Sequence, residues 1–161
     1  MFGLSDSRLA LAAALVLGCS SLSGVAASAP ARCSKSAESS RALVLAFYNE
    51  ALVNRRPQQA FEQFVAIDFV EHKPDVADGT RDGAVAFLAQ LMDDLPQARW
   101  DVVRTIVEGQ MVFLHARFTP APGAEHYAIA DVFRLHDCKI VEHWDVVGPP
   151  SGDARNPHSR F

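Results

Sequence analysis

Apolar positions along the chain recur first at helical and then at strand spacing. Val44, Phe47, Tyr48, Ala51 and Leu52 fall three or four residues apart, so the stretch from about Ser36 predicts a helix that stops near Asn54, before Arg55-Arg56-Pro57. Pro57 suits the first position of a second helix with the apolar face Ala60, Phe61, Phe64 and Val65. Ile67 to Glu71 reads as a short extended piece, and His72 to Gly79 is rich in turn formers. Thr80 is an N-cap for a third helix with Ala84, Phe87, Leu88, Leu91 and Met92 on one face, closed by Pro96.

After Pro96 the period changes to two. Four strands are predicted: Arg99 to Val107, Met111 to Thr119, Tyr127 to Leu135 and Lys139 to Val147. Glu108-Gly109 and Asp137-Cys138 read as tight hairpin turns, and Pro120 to His126 as a longer connection. Helices grouped before an antiparallel meander indicate an α+β domain whose three helices cover one face of the sheet. No regular structure is expected for the Pro-containing tail from Gly148 to Phe161.

Side-chain alternation then predicts which residues meet. A two-residue turn at Asp137-Cys138 sets Asp131 opposite Trp144, Phe133 opposite Glu142 and Leu135 opposite Ile140. That face holds the larger apolar residues and is expected to point at the helices, with a carboxylate among them. His143 and Asp145 fall on the other face, with solvent or another subunit. A turn at Glu108-Gly109 sets Trp100, Val102, Arg104 and Ile106 on the face of Met111, Phe113, His115 and Arg117. Burying Asp131 near His115 and Arg117 would cost several kcal/mol unless it is paired. Either it bridges to Arg117 or Arg134 as a structural ion pair, or it is a functional carboxylate. His72 is either a loop imidazole capping backbone or a polar group of the same site.

The N-terminus stands apart from this pattern. Leu9 to Gly18 is an uncharged apolar run, too short for the roughly 20 residues of a transmembrane helix, and it is laid out as a signal peptide over residues 1–18. Val16-Leu17-Gly18-Cys19 resembles a bacterial lipobox, and small-residue triplets further on offer ordinary cleavage. The expectation is therefore an exported protein, periplasmic or held to the envelope by a lipid on Cys19. Residues 19–36 form a linker, 37–150 the domain and 151–161 a tail. In an oxidising compartment Cys33 and Cys138 remain as a pair, and a disulfide between them is expected, worth about 2–4 kcal/mol.

Composition narrows the partners. The 161 residues carry 15 Lys+Arg against 19 Asp+Glu, a net charge of −4 that argues against nucleic acid and leaves a small molecule as the expected partner. No HxH, HExxH, CxxC, GxSxG or phosphate-loop pattern appears, so neither a metal nor another cofactor is expected.

The segment Phe69-Val70-Glu71-His72-Lys73-Pro74-Asp75-Val76-Ala77-Asp78-Gly79, the strand Asp131-Val132-Phe133-Arg134 and the ending Lys139-Ile140-Val141-Glu142-His143-Trp144-Asp145-Val146 together resemble the SnoaL-like group of the nuclear transport factor 2-like superfamily. The resemblance covers roughly Ala42 to Pro150. It implies a cone-shaped, curved sheet that encloses a deep pocket with the helices, commonly in a homodimer. Polyketide cyclases of the group close rings by aldol chemistry without metal or cofactor, using an Asp on a late strand, and the matching residue is Asp131. His115 and His72 are expected to assist it, with Tyr48, Arg117, Phe133, Glu142 and Trp144 lining a site for a small hydrophobic carbonyl compound. An export signal departs from the cytoplasmic habit of such cyclases. Other pockets on this scaffold isomerise steroids, open epoxides or only bind, so a non-catalytic binding protein is the alternative.

Overall fold

The computed structural model describes residues 36–152 and 154–161. The expected signal peptide, Cys19 and Cys33 lie outside them.

Helix α1 (Ala37–Tyr48) opens at Ser36, whose side-chain oxygen accepts a hydrogen bond from the Ser39 amide at 3.1 Å. It runs on into a wider π-helical turn, Asn49–Val53, closed by the Asn54 amide on the Asn49 carbonyl at 2.8 Å. Helix α2 (Pro57–Phe64) starts on its proline and passes directly into strand β1 (Val65–Glu71). Helix α3 (Arg81–Asp94) is capped by Thr80, whose hydroxyl accepts from the Gly83 amide at 3.1 Å. Gly79 has φ 58°, and a Cβ there would sit 2.8 Å from the Glu71 carbonyl oxygen. Only glycine lets the loop close on the end of β1.

Strands β2 (Arg99–Glu108), β3 (Met111–Thr119), β4 (Tyr127–His136) and β5 (Lys139–Gly148) follow within about a residue of the sequence expectation. The sheet order is β1-β5-β4-β3-β2. The expectation of a purely antiparallel meander is corrected here, because β1 joins the sheet parallel to β5. The segment from Glu71 to the meander is long enough for a parallel connection, and β1 satisfies backbone groups that β5 would otherwise expose at an edge.

Two irregularities decide which way the side chains face. In the β4–β5 hairpin Leu135 pairs with Ile140 and Arg134 with Glu142, so Val141 is an extra residue without a partner. In the β2–β3 hairpin the turn is Gly109-Gln110, one residue later than expected, and Val103 is unpaired between Val102↔Ala116 and Arg104↔His115. Each is a β-bulge, and beyond each the alternation is inverted relative to a regular strand.

The core lies between the helices and the inner face of the sheet. Val44, Val112, Leu114 and Ile140 are fully buried. Phe47 meets Phe61 and Phe133 edge to face at centroid distances of 5.2 and 5.9 Å, and Phe61 meets Phe69 likewise at 5.8 Å. These rings line a cavity that they share with a group of polar side chains.

Candidate functional site

A cavity of about 420 Å³ lies between the helices and the inner sheet face, a size suited to a small organic molecule. Its lining is mainly aromatic and aliphatic, with Tyr48, Glu71, Lys73, Asp131, His143 and Asp145 as the main polar groups. Of the residues expected from the sequence, Asp131, Tyr48 and Phe133 reach it.

Asp131 lies on β4 between Leu114 of β3 and Asp145 of β5 and is 6% exposed. His143, brought inward by the bulge at Val141, directs Nε2 to Asp131 Oδ1 at 3.2 Å. Its Nδ1 lies 2.9 Å from both carboxylate oxygens of Glu71, the last residue of β1. Phe133 stacks on the imidazole at a centroid distance of 4.7 Å. Glu71 also accepts a hydrogen bond from the Lys73 amide at 2.9 Å, which fixes its side chain against the loop. Burial alone would lower the His143 pKa, but its hydrogen bonds to Asp131 and Glu71, with their charges, outweigh that and raise it from 6.5 to about 9.

Beside this chain lies a second pair. Lys73 donates to Asp145 Oδ2 at 2.9 Å and approaches Asp75 at 3.3 Å. Burial opposes its charge, yet the hydrogen bond to Asp145 and the charges of Asp145 and Asp75 hold its pKa above the ordinary value. Asp131 and Asp145 are thus neighbours across two strands, each with its own cation. The Tyr48 phenol, on the last turn of α1, is pushed well above its ordinary pKa by burial and then by the charge and hydrogen-bonding pull of Asp131. It keeps its proton at neutral pH. Asp131 Oδ2 is buried and makes no fully formed hydrogen bond. Among the described residues no three His, Cys, Asp or Glu side chains converge as a metal-binding set.

Five expected site residues lie elsewhere, and the bulge in β5 accounts directly for two of them. Trp144 and Glu142 were assigned to the inner face by regular alternation; the extra Val141 turns both outward and turns His143 and Asp145 inward. Outside, Trp144 stacks flat on His72 at 4.5 Å, so His72 belongs to that surface cluster too. Glu142 pairs with Arg134 and lies 3.4 Å from His72; the Arg134 hydrogen bond and then His72 hold its pKa below the ordinary value. His115 and Arg117 alternate with the buried Leu114 and Ala116 and so face away from the cavity. His115 Nδ1 accepts a hydrogen bond from the Arg104 guanidinium at 2.8 Å, and Phe161 of the tail lies against both His115 and Arg117. Trp100 and Val102, expected to share the face of His115 and Arg117, pair instead with Phe118 and Ala116 on the inner one. The residues that sequence reasoning missed are Glu71, Lys73, His143 and Asp145. For His143 and Asp145 the sequence held one signal, the adjacent β-branched pair Ile140-Val141, which breaks strict alternation where the bulge occurs.

Comparison with known proteins agrees with this architecture. No curated protein matches the chain. Among solved structures, it is similar to IdmH of Streptomyces antibioticus, a candidate polyketide cyclase, at 20% identity over 67% of this chain and 91% of that one, with a TM-score of 0.55. It is equally similar to AclR of Streptomyces galilaeus, a candidate hydroxylase, at 21% identity over 70% and 81% of the two chains and a TM-score of 0.58. A nuclear transport factor 2-like protein of unknown function from Mesorhizobium loti matches at 21% identity over 70% and 93%, TM-score 0.58. Such identities establish the fold and leave the reaction open. The SnoaL-like domain model matches residues 44–143, which run from the second half of α1 through α2, β1, the loop after it and α3 to His143 on β5, and the chain therefore belongs to the SnoaL-like family on a nuclear transport factor 2-like fold.

Proposed function

We propose that this protein carries out cofactor-independent acid–base chemistry, an aldol cyclisation or an isomerisation, on a small hydrophobic carbonyl compound. Family membership points to cyclase- or isomerase-type chemistry. The observation that carries the finer reading is a buried carboxylate, Asp131, with Oδ2 left without a formed hydrogen bond inside an apolar cavity that also holds the protonated Tyr48 phenol. Asp131 takes a proton from the carbon next to the carbonyl, and Tyr48 donates a hydrogen bond to the oxygen that gains charge. In an isomerisation the proton returns to another carbon. In an aldol closure the enolate carbon bonds to a second carbonyl carbon, and the proton held by Asp131 goes to that carbonyl's oxygen.

The test is α-hydrogen exchange in D2O across a panel of hydrophobic ketones and 1,3-diketones, read by mass spectrometry. Wild-type protein is expected to exchange α-hydrogens, and Asp131→Asn to lose about 10²–10⁴-fold in rate while retaining binding by native mass spectrometry. Binding without exchange in the wild type would instead identify a carrier or sensor of such molecules.

The reading includes an exported location, from the N-terminal pattern, and a homodimer, for which the exposed Ile106 and Val146 on the outer side of the sheet offer apolar surface. It also includes a Cys33–Cys138 disulfide. Ser39 and Ser40 in the first turn of α1 line one crevice with Cys138, so the end of α1 that leads back to Cys33 lies beside the β4–β5 turn.

A further inference from the structure

His143 touches two carboxylates and nothing in the proposed chemistry uses it. Its side chain is 14% exposed, that of Glu71 5% and that of Asp131 8%, so neither carboxylate is solvated freely enough to stand without a donor. An imidazole offers one N–H when neutral and two when charged. With Glu71 at 2.9 Å from Nδ1 and Asp131 at 3.2 Å from Nε2, a neutral ring would turn a lone pair toward one buried carboxylate, whichever tautomer it took. Only the imidazolium satisfies both. Its two N–H groups are then spent, so His143 cannot itself donate to a substrate.

We propose that Glu71 and His143 form a positioning pair, in which Glu71 holds the imidazolium and the imidazolium clamps Asp131 through Oδ1, leaving Oδ2 turned to the cavity as the proton acceptor. This rests on the reading of Asp131 as the base. Phe133 stacked on one side of the ring fixes its plane. The surrounding charges agree with the assignment. Facing this group are Tyr48 from α1, Glu71 from β1, Lys73 and Asp75 from the loop after β1, Asp131 from β4 and Asp145 from β5. Lys73 is committed to Asp145 and Asp75, so the one cation left for Glu71 and Asp131 among these groups is His143. The raised His143 pKa is the electrostatic counterpart of the same geometry. The clamp holds the carboxylate base in place beside a protonated phenol, the pair of groups that enolisation requires.

The experiment is ¹⁵N NMR of the full chain labelled at histidine, between pH 5 and 10, with His143→Gln used to assign the His143 signals and side-chain correlation spectra doing so if that variant does not fold. Both ring nitrogens of His143 are expected to be protonated at pH 7, with a midpoint near 9, and Glu71→Gln is expected to move that midpoint down by about a unit or more, a tenfold change. A neutral His143 at pH 7, or a midpoint that ignores Glu71→Gln, overturns the proposal. The same samples are assayed for deuterium uptake by 1-tetralone. A charged His143 that responds to Glu71→Gln in a wild-type protein inert to the ketone supports the clamp and counts against the catalytic reading, so the two failures are distinguishable.

Discussion

The two faces of one sheet place a histidine in opposite electrostatic settings. On the inner face His143 sits between Glu71 and Asp131, and their hydrogen bonds and charges raise its pKa to about 9 against the effect of burial. On the outer face His115 neighbours Arg104, with Arg160 and Phe161 close by, and burial followed by those two arginines lowers its pKa below 6.5. The sheet is the same and the side chains are chemically identical. What differs is which way each residue points, and therefore whether its neighbours are carboxylates or guanidinium groups. A site on this scaffold is defined by side-chain parity as much as by residue type.

The sharpest way to break the comparison is to remove the inner carboxylate: Asp131→Asn is expected to abolish ketone exchange by the margin given above, whereas Arg117→Gln on the outer face should leave it unchanged. Next in size is a matched pair of histidine variants followed by urea unfolding. His143→Leu leaves two buried carboxylates without their cation and is expected to cost about 3–5 kcal/mol. His115→Leu, on the half-exposed outer face, should stay within about 0.5 kcal/mol. Equal losses at the two positions would show that the faces do not differ in the way described.

A third test uses pH. The folded His143 binds its proton more tightly than the unfolded chain, with a pKa of about 9 against 6.5. Its contribution to stability is therefore complete below about pH 6.5 and is lost as pH rises through about 9, an effect of roughly 3 kcal/mol at 1.36 kcal/mol per unit. Thermal unfolding midpoints should fall between pH 7 and 10 in the wild type, and this fall should flatten in His143→Gln. The smallest expected effect comes from deleting Val141. Because that residue has no partner, its loss leaves Arg134 opposite Glu142 and Phe133 opposite His143, so the His143 ¹⁵N signature should persist. A neutral His143 in the deletion variant would mean that the bulge does more than set parity.

The elements themselves were legible in the chain. The Thr80 cap, Pro57 at the start of α2 and the change of period after Pro96 are local signals, and local hydrogen bonding and side-chain spacing dictate them. The site was legible only in part. Asp131 and Tyr48 were found because their own segments alternate or repeat without interruption up to the cavity. His143 and Asp145 were assigned to the wrong face, since regular alternation from the Asp137-Cys138 turn puts the bulky Trp144 inside and no local rule favours inserting Val141. Lys73 sits in a loop, and its pairing with Asp145, 72 residues away, follows from where β1 docks rather than from any motif.

The sequence by itself determined the order and extent of helices and strands, the α+β class and the presence of one carboxylate among apolar residues, because short-range backbone and side-chain preferences act within a few residues. The tertiary structure decided the rest. Docking β1 parallel to β5 brought Glu71 to His143, and the bulge at Val141 turned His143 toward Asp131. A single unpaired residue reverses every side chain beyond it, and whether it is tolerated depends on the energy of the whole packed face, to which Trp144 stacked on His72 outside and His143 held between carboxylates inside both contribute.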